Sequence, residues 1–362
     1  PMHRLLQGDV GSGKTIVAVF ALIQAAENNF QTAVMAPTEI LARQHLQNFS
    51  NYLSPLGIQI AFLSGSQNTQ ERKENLSLIE NGQAKVIIGT HALFQENVYF
   101  EDLALVIIDE QHKFGVHQRL SLSKKASLTP HQLVMTATPI PRSLTMSAYA
   151  DLDTSVIDEL PPGRQKIETV ALSNARRDEL ITKIKQISKE GRQIYWVCTL
   201  IEESEVLRAE SAEKTFTYLT DNLKDLKVVM IHGRLTKSEK EIIMSDFSTG
   251  KTNLLVATTV IEVGVNVPNA SLMIVENAER LGLAQLHQLR GRVGRGSEKS
   301  ACVLLYQSPL SQTAKERLDI LRQSNDGFLI AQKDLELRGP GEILGTQQTG
   351  IASMKIANIV RD

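Results

Sequence analysis

The stretch LLQGDVGSGKTIVAVF, residues 5–20, decides the fold of the first part of this 362-residue chain. A short apolar run leads into Gly8, and an apolar helical segment follows Thr15. The residues between them match G-x-x-x-x-G-K-[ST], a pattern in which backbone N–H groups wrap a phosphate at the start of a helix. The stretch therefore predicts a nucleotide-binding loop between a strand and a helix. The loop residues are Gly8, Asp9, Val10, Gly11, Ser12, Gly13, Lys14 and Thr15.

A second motif, LALVIIDEQH (residues 103–112), supplies the carboxylates that this loop needs. Its apolar run predicts a buried strand that delivers Asp109 to its carboxyl end, where Asp109 and the Thr15 hydroxyl can hold Mg²⁺. Lys14 would neutralise the β- and γ-phosphates, and Glu110 would orient and deprotonate the attacking water. Two adjacent buried carboxylates repel each other unless a cation lies nearby. The two motifs together indicate hydrolysis of a nucleoside triphosphate.

The rest of the chain repeats one architecture. Short apolar runs alternate with helical stretches up to about residue 150, and a second such series follows the break DELPPGRQ at residues 158–165. Near-continuously apolar strands separated by helices are typical of parallel sheets covered on both faces. We therefore predict an α/β protein with two tandem parallel-sheet domains, residues 1–157 and 158–310, and an appendage at 311–362.

The appendage begins as two helices. SQTAKERLDILRQS (311–324) and FLIAQKDLELR (328–338) have helical periodicity, are joined by Asn-Asp-Gly, and place Ser311 as a cap. The segment DLELRGPGEILGTQQTG (334–350) then contains glycines and a proline that cannot extend a helix. A helical hairpin followed by a loop is predicted.

Composition narrows the class of protein without fixing its partner. Net charge is −1, with 42% hydrophobic, 22% charged and 5% aromatic residues, so any nucleic-acid groove must come from local arrangement rather than from bulk charge or stacking. Cys198 and Cys302 lie in apolar runs typical of buried strands, which favours inert thiols in a reducing, cytoplasmic compartment. No apolar run approaches the roughly 18 residues of a membrane span, and no signal peptide is recognisable.

Three arginines crowd the segment QLHQLRGRVGRG, residues 285–296. Arg290, Arg292 and Arg295 would repel one another unless an anion met them. A triphosphate bound in a cleft between the two domains would be such an anion. Hydrolysis would then open and close the cleft, as expected of a motor.

Seven motifs follow the order and spacing of superfamily 2 helicases and translocases, which the chain resembles over essentially its whole length. They are DVGSGKT, APTEILARQH, GTHAL, DEQH, TATPIPR, VATTVIEVGVNVPNA and QLRGRVGR. The resemblance implies two RecA-like domains that use ATP and Mg²⁺. Within the superfamily, DEQHKFGVHQR and DLELRGPGEILGTQQTG resemble the RecG family, ATP-dependent DNA helicases that remodel stalled forks and Holliday junctions in repair and recombination. The transcription-repair coupling factor Mfd carries a similar last segment and is the alternative.

The resemblance also implies roles for individual residues. His112 would couple nucleotide state to the second domain, Arg292 and Arg295 would approach the γ-phosphate, and Gln288 would help position the water. The implied DNA contacts are Pro37, Thr38, Gly89, Thr90, His91, His232, Thr258 and Thr259. Thr136 and Thr138 resemble the relay between hydrolysis and DNA movement, and Gln348 lies in the segment that matches the translocation motif. Arg338, at the predicted end of the second hairpin helix, is a candidate latch for that segment; the alternative is a C-terminal cap with Arg338 in a surface ion pair. Gln347 stands where the family often has arginine.

Other interpretations remain open at this stage. His232 is also compatible with a satisfied strand-end histidine, and Arg43 with a helix salt bridge instead of a phosphate contact. A nucleotide-gated DNA clamp without motor activity, or a P-loop kinase, would share the phosphate loop. The implied partners are DNA forks, junctions and duplex, together with single-strand-binding protein, and no membrane. The chain opens directly into a strand, so a piece of a longer protein is expected, with a DNA-binding wedge domain upstream.

Overall fold

The computed structural model describes residues 1–110, 125–126, 128–138, 152–159, 165–199, 205–258, 267–294, 296 and 298–338, without the side chains of 205–209, 237 and 338. These residues form two compact units, one made by Pro1–Ala137 with the strand that follows residue 152, the other by Thr138 and the residues from 165 onward. Each unit contains its own parallel sheet. In the described ranges, no helix combines the length and apolar character that crossing a membrane requires.

The first unit is built on a seven-stranded sheet in which all neighbours are parallel. Its strands are β1 (His3–Gly8), β2 (Gln31–Met35), β3 (Ile60–Leu63), β4 (Val86–Gly89), β5 (Leu103–Asp109), β6 (His131–Thr136) and β7 (Asp153–Ile157). Their order across the sheet is β3-β4-β2-β5-β6-β1-β7. Because parallel strands end at one edge, the loop after β1 and the carboxylates after β5 lie at the same edge, separated only by β6.

Three α-helices are described in the first unit, and side chains cap two of them. They are α1 (Lys14–Glu27), α2 (Glu39–Leu53) and α3 (Thr69–Glu80). The Thr38 hydroxyl accepts from the N–H of Leu41 and the Asn68 side chain from that of Glu71, so each satisfies a donor that the first turn leaves unpaired. Helix α2 follows β2 directly and buries its apolar face.

The second unit contains a six-stranded sheet that is also wholly parallel. Its strands are β8 (Glu168–Ser173), β9 (Gln193–Val197), β10 (Val228–Ile231), β11 (Leu254–Ala257), β12 (Ala270–Val275) and β13 (Ala301–Tyr306), in the order β10-β11-β9-β12-β13-β8. Cys198 and Cys302 are buried free thiols, as predicted, and burial raises the pKa of Cys302 to about 12. The predicted α/β class with two parallel sheets is confirmed.

Six helices are described in the second unit. They are α4 (Arg177–Lys189), α5 (Glu205–Asn222), α6 (Lys237–Ser248), α7 (Leu283–Arg290), α8 (Gln312–Gln323) and α9 (Gly327–Arg338). The predicted hairpin is α8 and α9, and the Ser311 hydroxyl accepts from the N–H of Ala314 as a cap. Both hairpin helices pack against α7. The predicted loop after Arg338 lies outside the described residues.

Candidate nucleotide site

The loop after β1 has the backbone that its glycines allow. Gly13 ends the loop with φ at +97°, a left-handed conformation that residues with a side chain rarely adopt. A Cβ at Gly8 would lie 2.4 Å from the Ser12 hydroxyl oxygen and would also contact Ile157 of β7. Gly13 is therefore favoured by its backbone conformation, and Gly8 by the close approach of its neighbours.

Lys14 lies over this loop. Its Nζ donates to the backbone oxygens of Gly8 (2.7 Å) and Asp9 (2.8 Å). Val10 N–H donates to the Asp9 carboxylate at 2.7 Å, which fixes the first turn of the loop. The predicted strand–loop–helix arrangement is thus present, with the ammonium group held above the amides that would meet a phosphate.

Asp109 ends β5 and is paired with a histidine from α2. His45 Nε2 lies 2.8 Å from Asp109 Oδ2, and the side chains are only 8% and 15% exposed. Burial raises the pKa of Asp109. The hydrogen bond and charge of His45, the charge of Lys14 and the N–H of Glu110 together outweigh burial and lower that pKa below its usual value. Asp109 is therefore held as a carboxylate.

Glu110 has an unusual backbone conformation. Its φ is +52°, in the left-handed region, and its N–H donates to the Met135 oxygen of β6 at 3.0 Å. A non-glycine residue there costs roughly 1–3 kcal/mol and is commonly found at functional sites. The strand therefore ends at Asp109, and the chain turns at Glu110.

The residues at this edge fit a magnesium ion bound together with a nucleotide. Thr15 offers a hydroxyl and Asp109 a carboxylate, both hard oxygen ligands of the kind that Mg²⁺ prefers. Among the described side chains, no cluster of three or more His, Cys, Asp or Glu could hold a metal on its own. Mg²⁺ bound with a nucleotide usually takes one or two protein ligands beside waters and phosphate oxygens.

Arg290, the last residue of α7, is buried among helix carbonyls, which corrects the sequence expectation that it meets an anion. Arg290 is only 2% exposed, and its guanidinium donates to the backbone oxygens of Leu321 (2.8 Å) and Ser324 (2.7 Å) at the end of α8. Its Nη2 also lies 2.9 Å from His287 Nδ1. Arg290 therefore meets helix carbonyls instead of an anion, because the helical period turns it into the core.

Arg290→Met should destabilise the second unit. The apolar side chain would leave two buried carbonyls without their charged donor, and hydrogen bonds to charged groups each contribute about 1.5–3 kcal/mol. At roughly 2–4 °C per kcal/mol, the loss of both bonds should lower Tm, followed by circular dichroism, by about 6–24 °C. Arg322→Met is the control, since that half-exposed arginine pairs only with Asp319 on the same hairpin. Equal Tm values for the two variants would contradict the assignment.

Two other residues of the second unit that were predicted to be functional, Arg292 and Gln288, lie just after α7 and within it. Arg292 is 9% exposed, two residues beyond α7. Gln288 of α7 donates from Nε2 to the Thr138 hydroxyl at 2.5 Å, and Thr138 groups with the second unit. Gln288 and Thr138, predicted for water positioning and for coupling, are therefore brought together.

The predicted DNA-contact residues follow strand ends. Pro37 and Thr38 follow β2, Gly89 ends β4, and Thr90 and His91 come after it, with Thr90 buried and His91 exposed. The hydroxyl of Thr38 is used as the cap of α2. In the second unit, His232 follows β10 and is half-buried, and Thr258 follows β11 and is buried. In the first unit, Thr136, one of the residues assigned to coupling, is buried at the end of β6.

Arg43 forms a helix salt bridge, one of its two interpretations. Its Nη2 lies 2.8 Å from the Glu39 carboxylate one turn earlier, and its guanidinium stacks 5.2 Å from the centre of the Phe62 ring.

Several predicted residues lie outside the described part of the chain: His112, Thr259, Arg295 and Gln348 entirely, and Arg338 in its side chain. His45 lies within the motif APTEILARQH, and the sequence alone offers no reason to assign it a role.

Three protein-family models match consecutive parts of the chain. The DEAD/DEAH box helicase family matches residues 2–147, and the helicase conserved C-terminal domain matches 176–297. The C-terminal part of domain 3 of the ATP-dependent DNA helicase RecG matches 324–362. The last match covers the segment that resembles both RecG and Mfd, and it favours RecG.

Individual relatives agree with the family matches. ATP-dependent DNA helicases RecG of Escherichia coli, Haemophilus influenzae and Thermotoga maritima are 61%, 59% and 48% identical over the whole chain, which covers 53%, 53% and 46% of them. The chain thus spans about half the length of these curated relatives. A structure of RecG bound to a three-way DNA junction matches with TM-score 0.82 and 44% identity, covering 100% of this chain and 47% of that one. The chain belongs to the RecG family of superfamily 2 helicases.

Proposed function

We propose that this chain is the ATP-dependent motor of a DNA helicase that moves on double-stranded DNA and remodels forks and Holliday junctions in repair and recombination. The observation that carries the proposal is the single sheet edge that brings the phosphate loop, Lys14, Asp109 and Glu110 together in a RecG-family chain. One solved structure that matches over the whole chain is a RecG bound to a three-way DNA junction, which supports branched DNA as the substrate.

Hydrolysis would use the residues of the first unit in distinct roles. The loop amides and Lys14 bind the β- and γ-phosphates, and Thr15 with Asp109 hold Mg²⁺. Mg²⁺, when bound, neutralises charge on the phosphate oxygens. Glu110, turned away from the axis of β5 by its left-handed backbone, accepts a proton from the attacking water. His112 couples the nucleotide state to the second domain.

The second unit contributes groups that favour the transition state. Arg292 and Arg295 donate to the γ-phosphate as it leaves, with Arg292 as the arginine finger. Gln288 helps to position the water, and its hydrogen bond to Thr138 ties this step to a residue assigned to coupling. Arg290 has a different role, because its guanidinium is used by the hairpin.

DNA would be gripped through its backbone. Strand-end groups and loop amides meet phosphates, which carry no sequence information, so grip is independent of sequence. The DNA-contacting residues are Pro37, Thr38, Gly89, Thr90, His91, His232, Thr258 and Thr259. The coupling residues are Thr136, Thr138, Arg338 and Gln348, the last two in the hairpin and the segment after it.

The proposed organisation assigns residues 1–157 to a RecA-like ATP-binding domain, 158–310 to a second RecA-like domain and 311–362 to the hairpin and translocation segment. Close packing of α8 and α9 on α7 supports a hairpin that follows the arginine motif when it moves. A wedge domain elsewhere in the full-length protein would read the fork. Single-strand-binding protein is a further proposed partner, in the cytoplasm.

This chain alone is expected to bind DNA weakly and without preference for forks, since its contacts are to the backbone. The affinity for a labelled three-way junction and for a plain duplex, measured by fluorescence anisotropy, should be equal within a few-fold. Both should fall with salt, with a slope of log K against log salt of about −0.9 for each phosphate neutralised. Tight selection of the junction by residues 1–362 would show instead that the fork is read by the motor itself.

A further inference from the structure

His45 is a buried side chain with one polar contact among the described residues. Its Nε2 meets Asp109 Oδ2 at 2.8 Å, and its ring stacks on Phe49 with centroids 5.3 Å apart and planes 18° from parallel. Its Nδ1 is buried, without a hydrogen-bond partner in the part of the chain that the structure describes. Because a carboxylate only accepts, Nε2 is the protonated nitrogen that donates to Asp109.

Packing alone does not explain a histidine at this position. An apolar ring would occupy this buried position beside Phe49 more favourably, since burying an unpaired imidazole nitrogen costs free energy. The only group gained in exchange is the donor that meets Asp109. The histidine is therefore explained by what it does to that carboxylate.

We propose that His45 is the positioning residue of the metal-binding carboxylate: by holding Oδ2 of Asp109, it directs Oδ1 toward the Mg²⁺ that accompanies ATP. The inference rests on the proposed function, in which Asp109 holds that ion. His45 lies on α2, directly after β2, which is the sheet neighbour of β5. The Thr38 hydroxyl caps the same helix, so a residue proposed to contact DNA and the histidine that holds Asp109 belong to one segment.

Two substitutions separate the donor from the shape of the side chain. His45→Phe keeps the ring and its stack on Phe49 but removes the donor, whereas His45→Gln keeps an N–H donor at the distance of Nε2 and removes the ring. The probe is a fluorescent, non-hydrolysable ATP analogue, titrated in Mg²⁺ and in EDTA. The ratio of the two Kd values measures what the metal adds to nucleotide binding, without any turnover.

His45→Phe should reduce this ratio by about 10-fold or more and raise the half-saturating Mg²⁺ concentration by about 10- to 100-fold, as is usual for partners of metal ligands. The Kd in EDTA should match wild type, and His45→Gln should recover most of the loss. In an Asp109→Asn background, His45→Phe should add nothing further. An unchanged ratio in His45→Phe, or equal weakening in Mg²⁺ and EDTA, would overturn the inference. Failure of the wild type to bind the analogue would instead overturn the proposed function.

Discussion

Glu110→Gln should lower ATP turnover by about 10²- to 10⁴-fold while ATP binding is retained, because the amide cannot take a proton from the attacking water. The side chain keeps its size, and the left-handed backbone at Glu110 is independent of charge. Phosphate release and the Kd of a fluorescent ATP analogue measure the two properties. Glu101→Gln, an exposed carboxylate ahead of β5, is the matched control and should behave as wild type.

Lys14→Ala should abolish turnover by a different route. Its ammonium group lies above the loop, where it would meet the β- and γ-phosphates, so its removal should weaken binding itself. The pair of variants therefore separates loss of binding from loss of chemistry. Turnover near wild type in either variant would refute the site assignment.

Arg292→Ala is expected to lower ATP turnover by about 10³- to 10⁵-fold, the effect of removing an arginine finger in related phosphoryl-transfer systems. Arg292→Lys should recover little, because an ammonium group lacks the planar fork that meets phosphate oxygens in pairs. Single-turnover phosphate release after rapid mixing with ATP is the measurement, and Tm should stay near that of wild type. A loss of less than 10-fold in Arg292→Ala with normal Tm would remove it from the transition state.

The central strands and the phosphate loop could be predicted from the sequence because their signals are local. Gly8, Gly13 and Lys14 lie within a few residues of one another, and β5 is a continuous apolar run. Strands β7 and β8 lie at sheet edges and carry a weaker signal. Their sequences, DTSVI and ETVALS, mix polar with apolar residues instead of forming a continuous apolar run, and Val156 of β7 is exposed.

The finer parts of the site depend on relations that sequence spacing does not contain. His45 and Asp109 are 64 residues apart and meet only because α2 follows the strand beside β5. The left-handed φ of Glu110 is set by its hydrogen bond to β6. Arg290 and Arg292 look equivalent as letters, yet the last turn of α7 places Arg290 against the carbonyls of α8, and only the tertiary packing distinguishes them.

The proposed motor activity requires one property that a nucleotide-gated clamp or a P-loop kinase does not require. The hydrolysis of ATP must respond to DNA, because translocation links each turnover to a step along the duplex. Steady-state phosphate release by residues 1–362, measured with Mg²⁺-ATP in the presence and absence of duplex DNA, tests this demand most directly. The account predicts release that rises several-fold or more with saturating DNA and is lost in Glu110→Gln. Measurable release at the same rate with and without DNA would contradict it.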